Sequence, residues 1–123
     1  MPILRVEFHN GVLRAKANGQ LDKPDVEYWF KALRRYSSDY RRSIIVMLDA
    51  RDVTFITTSA RMMIAEATWL RAVQSIIFIV DEPTMAQTVR VIGMLGDHKR
   101  IQAFYSQEEA EQYAAKTLSI TAA

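Results

Sequence analysis

The sequence has no cysteine among its 123 residues. Disulfides, thiol nucleophiles and thiolate metal sites are therefore excluded, and a reducing compartment, the cytoplasm, is the expected setting. Glycine is almost as scarce, with 4 residues. Neither G-x-x-x-x-G-K-[ST] nor G-x-G-x-x-G occurs, so the chain lacks the loops by which backbones approach a nucleotide's phosphates. The two histidines, His9 and His98, stand far apart without a carboxylate pattern around them, so neither has metal-ligand spacing. A triad of Ser59, His98 and Asp49 lacks the G-x-S-x-G elbow that would present the serine. The longest apolar runs, such as Ile76 to Val80, fall far short of the roughly 20 residues that span a bilayer. The opening MPILRVEFHNGV alternates and then turns, unlike the apolar stretch of a signal peptide. A net charge of +2 is small, and the one dense basic cluster, Arg34, Arg35, Arg41 and Arg42, reads as the solvated end of a helix and not as a nucleic-acid footprint. Without a catalytic, metal or cofactor motif, the chain is expected to bind and not to catalyse.

What remains is the composition of one domain spanning residues 1–123, with 50% hydrophobic residues and no need of a disulfide or metal staple. Leu4, Val6 and Phe8 alternate with polar neighbours, Asn10-Gly11 supplies a turn of positive φ, and Leu13, Ala15 and Ala17 alternate again. An antiparallel hairpin is predicted. Asp22, Pro24 and Asp25 open a helix whose apolar stripe is Val26, Trp29, Phe30 and Leu33, ending near Ser37 to Asp39. Ile44 to Leu48 reads as a strand buried on both faces that ends at Asp49, followed by a connection through Phe55 and Ile56. Any of the hydroxyls of Thr57, Thr58 and Ser59 can cap the next helix, expected from about Thr58 to Val73 and nearly apolar all round. In that helix Met62 and Met63 read as core packing ahead of an adaptable groove. Ile76 to Val80 is a second buried strand, and Asp81-Glu82-Pro83 starts a helix that carries Met85, Val89 and Ile92 and stops at Gly96. Ile101 to Tyr105 is a short strand, Ser106 to Glu109 a capping box, and the last helix is expected to fade near Lys116. The order ββαβαβαβα implies an α/β fold, a mostly parallel mixed sheet with an antiparallel edge and about four helices.

In such sheets the functional crevice lies at the carboxyl ends of the strands. Here that rim comprises Asp49, Arg51, Asp52, Thr57, Thr58, Ser59, Asp81 and Glu82, and the free amides at the start of the second helix favour an anion. The expected partner-binding surface is Asp49, Arg51, Asp52, Thr57, Thr58 and Ser59.

The stretch from Ile44 to Arg61, IIVMLDARDVTFITTSAR, resembles the STAS domains, the SpoIIAA-like family of bacterial anti-anti-sigma factors. Asp49 matches the acid that ends a buried strand, Val53, Phe55 and Ile56 match the apolar approach to a helix, and Thr58 and Ser59 match its hydroxyl pair. The ending IQAFYSQEEAEQYA is similar to the last strand and capped helix of the family, and the order of elements agrees over about residues 4 to 115. The resemblance implies a SpoIIAA-like (STAS) fold and a regulatory protein-interaction module, an anti-sigma-factor antagonist whose partner is an anti-sigma-factor-like kinase. It makes Thr58 and Ser59 the candidate phosphate acceptors. The chain departs from the family pattern at Thr57, where the family has Asp, at Thr58 (Ser), at Ala60 (Gly) and at Arg61 (an apolar residue). These changes place it nearer the divergent SpoIIAA-like group. Two further expectations stay open: a lipid or small ligand in a pocket lined by the apolar second helix, and a homodimer through the second or third helix.

Overall fold

The computed structural model describes residues 3–39 and 42–122, with side chains from 6–38 and 42–118. Leu4's side chain and Arg41 lie outside these. The chain opens with β1 (Ile3–His9) and β2 (Val12–Leu21), paired antiparallel through His9↔Val12 and Val6↔Ala15. Asn10 at φ 49 and Gly11 at φ 80 make the turn, the conformation that the Asn-Gly dipeptide adopts at little cost. Helix α1 (Lys23–Asp39) follows, then β3 (Ile44–Ile56), α2 (Thr58–Ala67), β4 (Val73–Ile79), α3 (Pro83–Leu95), a 3₁₀ turn (His98–Arg100), β5 (Ile101–Phe104) and α4 (Gln107–Ala122). The strands lie in chain order, β1-β2-β3-β4-β5, and every pair after the first is parallel.

Two apolar layers flank this sheet. On one face Leu13, Val46, Leu48, Ile76 and Phe78 meet Val26, Trp29 and Leu33 of α1, Ala60 and Ile64 of α2, and Val89 and Ile92 of α3. On the other face Val12, Ile45, Met47, Ile77 and Ile79 meet Ala110 and Ala114 of α4, with Phe104 and Tyr113 alongside. The continuous apolar runs of β3 and β4 are the consequence, because both faces of these strands are covered. Helix α1 starts where the Asp22 N–H donates to the Asp25 carboxylate at 2.8 Å, and the helix α4 start is held by Glu109 N–H donating to Ser106 Oγ at 3.1 Å.

Four expectations need correction. Strand β3 does not end at Asp49 but runs on to Ile56. Its register against β2 slips, since Lys16 pairs with Asp49 but Asn18 with Asp52, and Gly19 with Val53 but Gln20 with Phe55. Each slip adds a residue to β3, so Ala50, Val53 and Ile56 are buried at a spacing of three where a regular strand repeats every second residue. Helix α2 stops at Ala67, short of Val73, which opens β4. It is not covered all round either: Met62 is exposed, as are Trp69 and Leu70 beyond its end, while Met63 packs against the core. Helix α4 continues past Lys116 to Ala122. Gly96 does stop α3, but with φ −119 and not in the left-handed region. It is glycine for space: a Cβ there would stand 2.5 Å from the Ala65 carbonyl oxygen and 2.5 Å from Thr68 Oγ1.

Candidate functional site

The parallel strands deliver their carboxyl ends, and the starts of all four helices, to one edge of the sheet. At the β3–α2 junction, Thr57 is the N-cap, with φ −65 and ψ 159. Its N–H donates to the Leu21 carbonyl at 3.0 Å, tying the junction to the end of β2, and its Oγ1 accepts from the Ala60 N–H at 3.4 Å. Of the three hydroxyls available in the sequence, Thr57 therefore has the capping duty. Thr58 and Ser59 occupy the first helical turn and are exposed. Arg61 closes the junction from the other side. Its Nε donates to the Ile56 carbonyl at 2.7 Å, and its guanidinium lies 5.1 Å from the centre of the Phe55 ring, a cation–π distance.

Asp49, Arg51 and Asp52 do not join this group. Six residues of extended chain lie between Asp49 and Ile56, which puts them about 20 Å apart at the strand rise. Asp49 instead pairs with Arg51 in a bidentate arrangement, Nε to Oδ1 at 2.9 Å and Nη2 to Oδ2 at 2.7 Å, and also accepts from the Arg51 N–H. The guanidinium's hydrogen bonds hold the Asp49 carboxyl below its ordinary range, against the opposing effect of partial burial. Arg14 and Glu111 form a second bidentate pair, at 2.9 and 2.6 Å, which joins β2 to α4 and likewise lowers Glu111. Between them lies a shallow charged groove bounded by Glu7, Lys16 and Gln107. Arg51 and Asp52 also border a groove of about 340 Å³ with Thr54, Asp81, Glu82 and Thr84. The expected surface is thus two surfaces: a hydroxyl-bearing helix start, and a paired-charge strip along β3 that reaches the start of α3.

Ser59 stands at the start of α2 and His98 beyond the far end of α3, so the elements of the imagined triad sit at opposite edges of the sheet. Among the described residues no three or more His, Asp or Glu side chains gather to hold a metal ion. The sequence predicts buried positions for Phe55 and Met62, but they are 47% and 45% exposed beside the hydroxyl turn. The signal for Phe55 lay in the bulged register of β3, which the sequence does not display.

This architecture, five strands in chain order with an antiparallel first pair and helix α4 on the second face, matches solved structures at a TM-score of 0.64. The fold is SpoIIAA-like. The anti-sigma factor antagonist SpoIIAA in its unphosphorylated form superposes over 91% of this chain and 96% of its own, at 14% identity. An uncharacterised Shewanella loihica PV-4 protein with a SpoIIAA-like fold matches over 90% of both chains at 16% identity. An anti-sigma factor antagonist from Mycobacterium paratuberculosis matches over 90% of this chain and 91% of its own, at 18% identity and a TM-score of 0.64. Comparison of the sequence with protein-family models and with curated proteins gives no match. What these SpoIIAA-like structures share with the present chain is the backbone plan.

Proposed function

We propose that this chain is a non-enzymatic, cytoplasmic, SpoIIAA-like regulatory module that binds a protein partner, an anti-sigma-factor-like kinase, through the β3–α2 junction. The observation that carries this is the division of labour among the hydroxyls. Thr57 caps the helix, so the exposed Thr58 and Ser59 have no structural duty, and they sit beside the exposed apolar side chains of Phe55 and Met62. Aromatic and methionine side chains are over-represented at the centres of protein interfaces. Thr58 and Ser59 are the proposed acceptors of a regulatory phosphate, and structural support comes from the unpaired amides of the first turn and from the helix dipole. Arg61, three residues beyond Thr58, is within the spacing at which helical side chains meet. The charges of Asp49, Arg51 and Asp52 are a second, separate strip that the partner would meet along β3.

The test is an affinity capture from native cells with wild type, Thr58→Ala and Thr58→Glu. The wild type and the Ala variant are expected to retain the partner, and the Glu variant to lose it while keeping its melting temperature. Retention by the Glu variant would sink the proposed switch. A second reading, a lipid or small ligand, rests on a groove of about 330 Å³ between α1 and α2, floored by Phe30, Leu33, Met63 and Leu70. Native mass spectrometry of the purified chain separates the two, since a co-purifying ligand adds mass to the protein.

A further inference from the structure

The edge of the sheet opposite the β3–α2 junction carries a different chemistry. There α1, α2 and α3 end and β3, β4 and β5 begin. Four large apolar side chains stand in water on this edge: Trp69 is 61% exposed, Leu70 44%, Met94 77% and Leu95 43%. They come from two segments held firmly together. Thr68 Oγ1 donates to the Ala65 carbonyl at 2.6 Å and accepts from the Asp97 N–H at 2.7 Å. The Arg100 guanidinium reaches the Thr68, Leu70 and Val73 carbonyls at 3.3–3.5 Å, closing the end of α2 onto the segment that follows α3. The absence of a Cβ at Gly96 permits this approach. The apolar side chains are thus displayed on a rigid platform and not on a loose loop.

Cations surround them. Arg34 and Arg71 flank Leu70 across the α1–α2 groove. The Ile44 N–H donates to the Ala72 carbonyl at 2.7 Å, which brings the segment of exposed Arg42 beside that of Arg71. Lys99 is exposed next to the platform's Asp97. Arg34, Arg42, Arg71 and Lys99 make no ion pair among the described residues. The described acids on these segments are Glu27, which lines the α1–α2 groove with Arg34 and Arg71, Asp39, the last residue of α1, Glu66, which is exposed, and Asp97, which Arg100 holds at 3.4 Å, and the cations outnumber them. A tryptophan with leucine and methionine neighbours, ringed by arginine and lysine, is the pattern that enters the headgroup layer of a bilayer. A second copy fits this face less well, because face-to-face docking would oppose like charges.

We propose that this edge docks the protein on an anionic phospholipid surface, with Trp69, Leu70, Met94 and Leu95 entering the headgroup layer and Arg34, Arg42, Arg71 and Lys99 meeting the phosphates. Docked in this way, the chain turns the β3–α2 junction toward bulk water. The inference does not depend on the function proposed for that junction.

Vesicle co-sedimentation tests it, with phosphatidylcholine alone and with phosphatidylcholine plus phosphatidylserine. The wild type is expected to pellet with the anionic vesicles only, and to be released as salt is raised. Trp69 fluorescence should shift to the blue on binding, against the constant signal of the fully buried Trp29. The double variant Arg71→Glu, Lys99→Glu should lose at least tenfold in partition, since each basic residue near such a surface contributes a several-fold factor. Trp69→Ser should lose binding while unfolding at the wild-type temperature. Equal binding to both vesicle types, or to neither, overturns the proposal. So does a dimer in light scattering that Trp69→Ser dissolves, with no vesicle bound, for the face would then be a contact between copies.

Discussion

Thr57 and Thr58 are adjacent and chemically identical, yet the fold gives them opposite duties. Thr57 supplies the side-chain acceptor of the α2 cap, and Thr58 is exposed in the first turn. Thr57→Ala is accordingly expected to cost about 0.5–2 kcal/mol in urea unfolding, the usual worth of a cap, and Thr58→Ala close to nothing. The reverse order would assign the cap to Thr58 and remove the free hydroxyl on which the proposed switch depends. Gly96 shows a second kind of residue-level constraint. Gly96→Ala should cost about 1–3 kcal/mol, because the new methyl group would press on the backbone carbonyl of Ala65, which has no rotamer to vacate. Gly93→Ala meets a side-chain methyl, Ile101 Cγ2 at 2.9 Å, and is expected to cost less by the same measurement.

At the scale of elements, α2 separates what periodicity can reveal from what it cannot. Leu70 continues the apolar spacing of the helix, but it lies beyond the helix end with nearly half its surface in water. Leu70→Ala should therefore cost no more than about 1 kcal/mol, whereas Ile64→Ala, fully buried on the same helix, should cost about 2–5 kcal/mol. Thermal melts of the two variants check the contrast. Just past the helix end at Ala67 the chain is fastened by a partner 29 residues away, the Asp97 N–H on Thr68 Oγ1, and no local pattern announces it. The end of β3 was hidden for a related reason. The bulges opposite Gly19 and its neighbours turn an alternating strand into one with a spacing of three, which reads as a loop. By contrast, the Asn10-Gly11 turn, the Val26–Leu33 stripe and the buried runs of β3 and β4 were legible because their causes are local. So was the capping of α2 by one of three hydroxyls, although only the structure assigns it to Thr57.

Across the whole molecule, acids predominate at one end and bases at the other, with a few of the opposite sign at each. Asp22, Asp25, Asp52, Asp81, Glu82, Glu108 and Glu109 gather at the edge where the helices start, and Arg34, Arg35, Arg42, Arg71 and Lys99 at the edge where they finish. The small net charge of the chain conceals this separation. Two bidentate pairs also bear on stability as a function of pH. Asp49 and Glu111 titrate below their unfolded values in the folded chain, so their contribution is complete above the ordinary carboxylate range, begins to be lost as pH enters it, and is gone only below the lowered folded values. The urea midpoint should drop on acidification through that range, and Glu111→Gln should flatten the slope. The second face of the sheet has a consequence during synthesis. Its apolar surface, Val12, Ile45, Met47, Ile77 and Ile79, is covered by α4, which is synthesised after every strand it packs on. A nascent chain that has just made β5 can hold its first layer complete and still present a bare strip of isoleucine, valine and methionine. A chain ending at Ser106 should bind the dye ANS and aggregate, and a synthetic peptide of residues 107–122 supplied in trans should suppress both.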